Sequence, residues 1–165
     1  MRTIRRVTPD DLEAYREVRL RALQDSPSAF GSTYTGELAR PRRDWVERVE
    51  QAAAGHSRTT FLAFDGPDCV GLVGCAEDDL GADYQLVSMW VAPTHRGGGV
   101  AGELLDAALA WAKGAGARTV ALWVTRGNDR ALRFYERAGF SVTGDVQPLP
   151  SDPCKDEIRM IRRVG

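Results

Sequence analysis

From Tyr84 to Ala92 the chain reads YQLVSMWVA, and after four more residues come three consecutive glycines, Gly97, Gly98 and Gly99. So continuous an apolar stretch suits a strand in the middle of a sheet. Beyond the glycines, Ala101, Leu104, Leu105, Ala108, Leu109 and Ala112 recur at i, i+3, i+4, i+7, i+8 and i+11, the stripe of an amphipathic helix. A central strand that turns through glycines into a helix restricts the chain to α/β architectures.

The rest of the sequence fits that frame. MRTIRRV reads as a short first strand. In TPDD, Thr8 suits a helix cap, Pro9 the first helical position, and Asp11 stands three residues on as in a capping box. DSPSAFGSTYTGEL is a polar connection, and RDWVERVEQAAAG a second helix stopped near Gly55. TTFLAFDG and DCVGLVGCA read as a hairpin turning at DGPD. TVALWVT is a strand and NDRALRFYERAG a helix. FSVTGDV and DEIRMIRR are two final strands joined by a Pro-rich loop, QPLPSDP. The predicted order is β-α-α-β-β-β-α-β-α-β-β: one α/β (α+β) domain over residues 1–165. It has about four helices on a mixed sheet of about seven strands.

Composition removes several function classes. The 22 basic and 23 acidic residues leave a net charge of −1, so no global field attracts nucleic acid. No apolar run approaches a membrane span, and the charged first twenty residues do not resemble a signal peptide. A cytoplasmic protein is expected. Three cysteines without C-x-x-C spacing and only two histidines suggest neither a disulfide framework nor a metal centre.

Gly97, Gly99 and Gly102 spell G-x-G-x-x-G, and Gly97 and Gly102 have P-loop spacing. A P-loop needs Lys and then Ser or Thr after its last glycine, where this chain has Glu103 and Leu104. A dinucleotide fold needs an acid about twenty residues on, where Leu122, Trp123 and Val124 stand. A simpler reading survives. A helix N-terminus has unpaired N–H groups and a partial positive charge that suit a phosphate, and glycines allow close approach. A plain flexible turn remains the alternative.

VAPTHRGGGVAGELL resembles the acetyl-CoA signature R/Q-x-x-G-x-G/A of the GNAT family of N-acetyltransferases, with Arg96, Gly99 and Ala101 at its fixed positions. NDRALRFYERAGF resembles the same family's N-x-x-A-x-x-x-Y-x-x-x-G-F segment, from Asn128 to Phe140. The resemblance covers essentially the whole chain. It implies a GNAT fold, splayed at a cofactor cleft, and direct transfer of acetyl from acetyl-CoA to a primary amine without a metal. Arg96, Gly97, Gly98, Gly99, Val100, Ala101 and Gly102 would cradle the CoA pyrophosphate. The backbone of Met89, Trp90 and Val91 would bond the pantetheine arm, with the Val91 amide polarising the thioester carbonyl. Asn128 would contact the arm, and Tyr135 the sulfur.

Such roles have a chemical reason. An N–H aimed at the carbonyl oxygen stabilises charge that grows there during attack, and a tyrosine can protonate the leaving thiolate. Each residue also has a plainer reading. Tyr135 shares a helical face with Ala131, Phe134 and Ala138, Asn128 can simply cap its helix, and Arg133 can face solvent rather than the 3′-phosphate. Arg19, inside the apolar arc of the first helix, is expected to snorkel.

Some members of the family carry a glutamate on the central strand or on the strand before Asn128; neither strand has an acid here, and Trp123 stands where one would be sought. Glu77, Asp78, Asp79 and Asp83 form an acidic loop that either faces solvent or gathers cationic amines. Phe30, Ser32, Tyr34 and Glu37 are candidates for the acceptor site, with the QPLPSDP loop opposite. The acceptor is expected to be a small-molecule amine. Alternatives are a protein N-terminus or lysine, or a CoA-binding sensor without turnover. Family members are often dimers, so a homodimer is a further expectation.

Overall fold

The computed structural model describes residues 1–165. Its strands are β1 (Arg2–Arg6), β2 (Arg58–Asp65), β3 (Asp68–Glu77), β4 (Tyr84–Val91), β5 (Thr119–Thr125), β6 (Ser141–Leu149) and β7 (Asp152–Arg163). They form one sheet in the order β1-β2-β3-β4-β5-β7-β6. Only β4 and β5 run parallel; every other neighbouring pair is antiparallel. The helices are α1 (Leu12–Asp25), α2 (Tyr34–Leu38), α3 (Arg42–Ala54), α4 (Val100–Gly114) and α5 (Asp129–Arg137). The expected mixed sheet of seven strands and the four longer helices are present, in the expected order.

Alternate residues of a strand point to opposite faces. Gly71 of β3 faces Leu104 of α4, whereas Leu72 and Gly74 share a cavity with Tyr15 of α1 and Ala52 of α3. Helices therefore cover both faces, as the apolar β4 requires. The α4 stripe of Leu104, Leu105, Ala108, Leu109 and Ala112 is buried as its spacing predicts. The Thr8–Asp11 capping box also forms, with the Thr8 N–H donating to Asp11 Oδ2 at 2.7 Å. No helix is long and apolar enough to cross a membrane.

Three expectations need correction. The connection after α1 contains the short helix α2, started by Thr33 Oγ1 accepting from the Gly36 N–H. The QPLPSDP segment is mostly strand: β6 runs to Leu149, only Pro150 and Ser151 turn, and β7 begins at Asp152. Pro148 is tolerated because β6 is the sheet edge. Arg19 does not snorkel. It is buried, and its Nε and Nη2 donate to Glu37 Oε1 at 3.1 and 2.9 Å.

Glu37 is 1% exposed and also accepts from Arg40 Nε (2.6 Å) and Arg48 Nη1 (2.9 Å). Burial pushes its carboxyl pKa up, but Arg19 and Arg48 outweigh that and hold it below the usual value. A five-residue helix has little stability of its own, so this cluster is what fastens α2 to α1 and α3. Glu37→Gln leaves the buried Arg19 without its counter-charge. It is expected to destabilise the protein by about 3 kcal/mol, seen as a midpoint shift in urea unfolding with an unchanged slope.

Candidate active site

The site starts from an irregularity in β4. Leu72 pairs with Trp90 and Gly74 with Val87, so Val73 faces two residues, Ser88 and Met89. Ser88 has φ 60°, the only positive φ outside glycine. The bulge presses Val87 against β3: a Cβ on Gly74 would lie 2.8 Å from Val87 Cγ2, which explains a glycine there. A bulge bends its strand and increases its twist. Beyond Tyr84↔Val120 and Gln85↔Ala121, β4 and β5 no longer pair.

The separated strands open a cleft of about 1120 Å³. One wall is β4 from Gln85 to Val91; the other is β5 from Leu122 to Thr125 with α5 beyond it. The Ala92 N–H donates to Val70 at 2.8 Å. Residues alternate in an antiparallel ladder, so the Val91 N–H turns away from β3, toward the cleft. It is the N–H to which the family resemblance assigns the polarising of a carbonyl.

At the cleft mouth, Pro93–His95 make a single 3-10 turn and α4 begins at Val100. Gly97 and Gly99 have φ of 83° and 87°, the left-handed region. That turn lets the backbone enter α4 with no side chain over its first N–H groups. Glu103, whose charge argued against a P-loop, is tied down by Arg2. Nε and Nη2 of Arg2 donate to its two oxygens at 2.8 and 2.9 Å. This hydrogen-bonded pairing lowers the Glu103 pKa and raises that of Arg2. Arg2 also lies beside Gly98 and Gly99, a cation at the turn that the local motif did not reveal. Arg96 lines the cleft mouth and braces the turn. Its Nε donates to the Val91 carbonyl at 2.9 Å and its Nη2 to Asp25 at 2.6 Å.

Tyr135, 8% exposed, lies in the cleft wall with its ring edge-on to Phe134 and Phe140. Its hydroxyl has no protein partner and is not sealed off, so it opens to the cleft. Burial raises its pKa well above the ordinary phenol value and keeps the proton on. Asn128 lines the same wall and caps α5, its Oδ1 accepting from the Ala131 N–H at 3.3 Å. Arg130 lines the cleft and Arg133 does not.

The inner end brings together only part of the expected acceptor set. Phe30 and Ser32 line it; Tyr34 packs against the core instead, and Glu37 lies buried among its three arginines. Phe30 is itself buried. The acidic loop is mostly structural. Asp78 pairs with buried Arg159 at 2.7 Å and accepts from the Leu80 and Ala82 N–H groups. Asp83 accepts from the Arg118 and Thr119 N–H groups. Only Asp79 of the four lines the cleft. Two residues there were not read as part of the site: Arg19, read only as a snorkelling side chain, whose Nη1 donates to Ser88 at 2.6 Å, and Glu157 of β7. Their signal was slight, a charged residue within an otherwise apolar helix face and an acid within a basic strand.

The loop after α1 closes over this end. The Ser28 carbonyl accepts from Thr125 Oγ1 and the Phe30 carbonyl from Ser151 Oγ, each at 2.5 Å, and Lys155 donates to Ser28 Oγ at 2.6 Å.

Comparison with known proteins agrees with this fold. The family model described as acetyltransferase (GNAT) family matches residues 19–140. A mycothiol acetyltransferase of Propionibacterium freudenreichii is 28% identical over 149 residues, covering 90% of this chain and 46% of that relative, so this chain spans about half its length. A GNAT-family acetyltransferase from Streptococcus pneumoniae superimposes with a TM-score of 0.81 at 20% identity, covering 100% of both chains. The spermidine N-acetyltransferase of Vibrio cholerae, solved with CoA and spermine, gives a TM-score of 0.76 at 19% identity, covering 98% of this chain and 95% of that one.

Proposed function

This chain belongs to the acetyltransferase (GNAT) family, and on that premise we propose that it passes the acetyl group of acetyl-CoA directly to the primary amine of a small molecule. The cleft suits the cosubstrate. The N-terminal amides of α4, reached through Gly97 and Gly99, would hold the pyrophosphate, with Arg2 offsetting the Glu103 charge nearby. The free edge of β4 from Met89 to Val91 offers N–H and C=O groups to an amide-bearing arm. CoA bound in the Vibrio cholerae neighbour supports the same cosubstrate here.

Acetyl-CoA supplies an activated acyl group with a good leaving thiolate. The Val91 N–H stabilises the oxyanion that forms as the amine attacks. Tyr135, kept protonated by its burial, gives its proton to the departing sulfur. Strand β4 and helix α5 hold the two groups before any ligand arrives, so little reorganisation is needed at the moment of reaction.

The observation that favours a small acceptor is the roof over the inner end. The Ser28 and Phe30 carbonyls are tied to β5 and to the β6–β7 turn, which fastens the loop over this end and favours a compact acceptor over an extended peptide. A panel of small primary amines, N-terminal peptides and lysine peptides, followed by thiol release, tests this. The best small amines are expected to exceed every peptide at least tenfold in kcat/KM. A peptide preferred by the same margin would overturn the assignment.

A further inference from the structure

Glu157 is a carboxylate without a counter-charge, 8% exposed, at the inner end of the cleft. No basic side chain pairs with it: its single protein partner is Gln147, whose Nε2 donates to Oε1 at 2.5 Å. Oε2 accepts nothing from the protein, yet it is not sealed off, so it faces the cleft. The β6–β7 register sets this arrangement by placing Gln147 across from Glu157, while β5 places Thr125 across from it. Burying a carboxylate beside a single neutral donor is unfavourable unless a proton or a cation completes it. Burial raises its pKa, and the Gln147 bond only partly offsets this. Buried carboxylates elsewhere in the chain are matched with arginine: Asp11 with Arg5, Glu37 with three arginines, Asp78 with Arg159.

Accepting the transferase reading above, we infer that Glu157 Oε2 is the catalytic base that receives the acceptor's ammonium proton, with Gln147 positioning the carboxylate. The group that the family's strand acids would supply thus comes from β7, across the cleft from β4. The ammonium gives a proton to Glu157, and the freed nitrogen lone pair forms the C–N bond. The C–S bond breaks with its electron pair on sulfur, and Tyr135 protonates the thiolate. The acylated nitrogen still carries an extra proton and loses it to solvent; Glu157 releases its proton and Tyr135 regains one by exchange with solvent, so one net proton is released.

Glu157→Gln tests the role. At neutral pH it is expected to lower kcat at least 100-fold, within the range for a lost general base, while acetyl-CoA affinity by calorimetry changes less than twofold. The deficit is expected to shrink as pH rises toward the amine's own pKa, because the acceptor then arrives deprotonated. Other charged or titratable groups lining the cleft or closing this end are Arg19 of α1, Asp79 of the β3–β4 loop, His95 and Arg96 at the mouth, Arg130 and Arg137 of α5, and Lys155 and Arg159 of β7. None of them is altered in the variant, so any change in the profile reports Glu157. A variant within threefold of wild type at neutral pH, or a deficit that does not narrow with rising pH, overturns the role of Glu157 alone. Absence of amine-dependent thiol release from the wild-type protein overturns the transferase reading beneath it.

Discussion

Tyr135→Phe is expected to lower turnover by at least 100-fold while leaving acetyl-CoA affinity within twofold of wild type. The ring packs edge-on against Phe134 and Phe140, and phenylalanine preserves those contacts. What disappears is the hydroxyl, which bonds nothing in the protein and faces the cleft. Removing a general acid typically costs 10²- to 10⁴-fold in rate. Steady-state thiol release and calorimetry separate the two quantities, and equal loss of both would make Tyr135 a packing residue. The wild-type pH profile carries a related sign. The acid must be protonated, and burial raises its pKa. The alkaline decline due to Tyr135 therefore falls above the ordinary phenol value of about 10.

Gly99→Glu is expected to weaken acetyl-CoA binding at least 100-fold. Gly99 precedes α4 with φ 87°, a conformation that costs a side-chain-bearing residue about 1–2 kcal/mol. The new carboxylate would also sit at the helix N-terminus where the pyrophosphate is proposed to bind. Gly116→Glu separates strain from charge: its φ is 91°, its surroundings are open, and it lies away from the cleft. It should lose stability but not affinity. If Gly99→Glu binds acetyl-CoA as tightly as Gly116→Glu, the turn is not the cradle.

How far the sequence could be read followed the range of each signal. The glycine turn, the α4 stripe and the α5 segment with Asn128 and Tyr135 are local patterns, and each sits where its spacing placed it. Ser88 carries no local mark of its left-handed backbone; the bulge arises from the pairing of β3 with β4. Glu37 looked like a free acid beside two aromatics because its partners Arg19, Arg40 and Arg48 come from three different segments. Glu157 meets Gln147 only through the register of a hairpin whose prolines read as a loop. The edge position that tolerates Pro148 is a property of the whole sheet, not of the segment.

The most direct measurement is thiol release from acetyl-CoA by the wild-type protein as the concentration of a small primary amine is varied. The account predicts release that depends on the amine and saturates in both substrates. Tight acetyl-CoA binding with no release above background for any amine would contradict it and leave the cleft a site that binds without transferring.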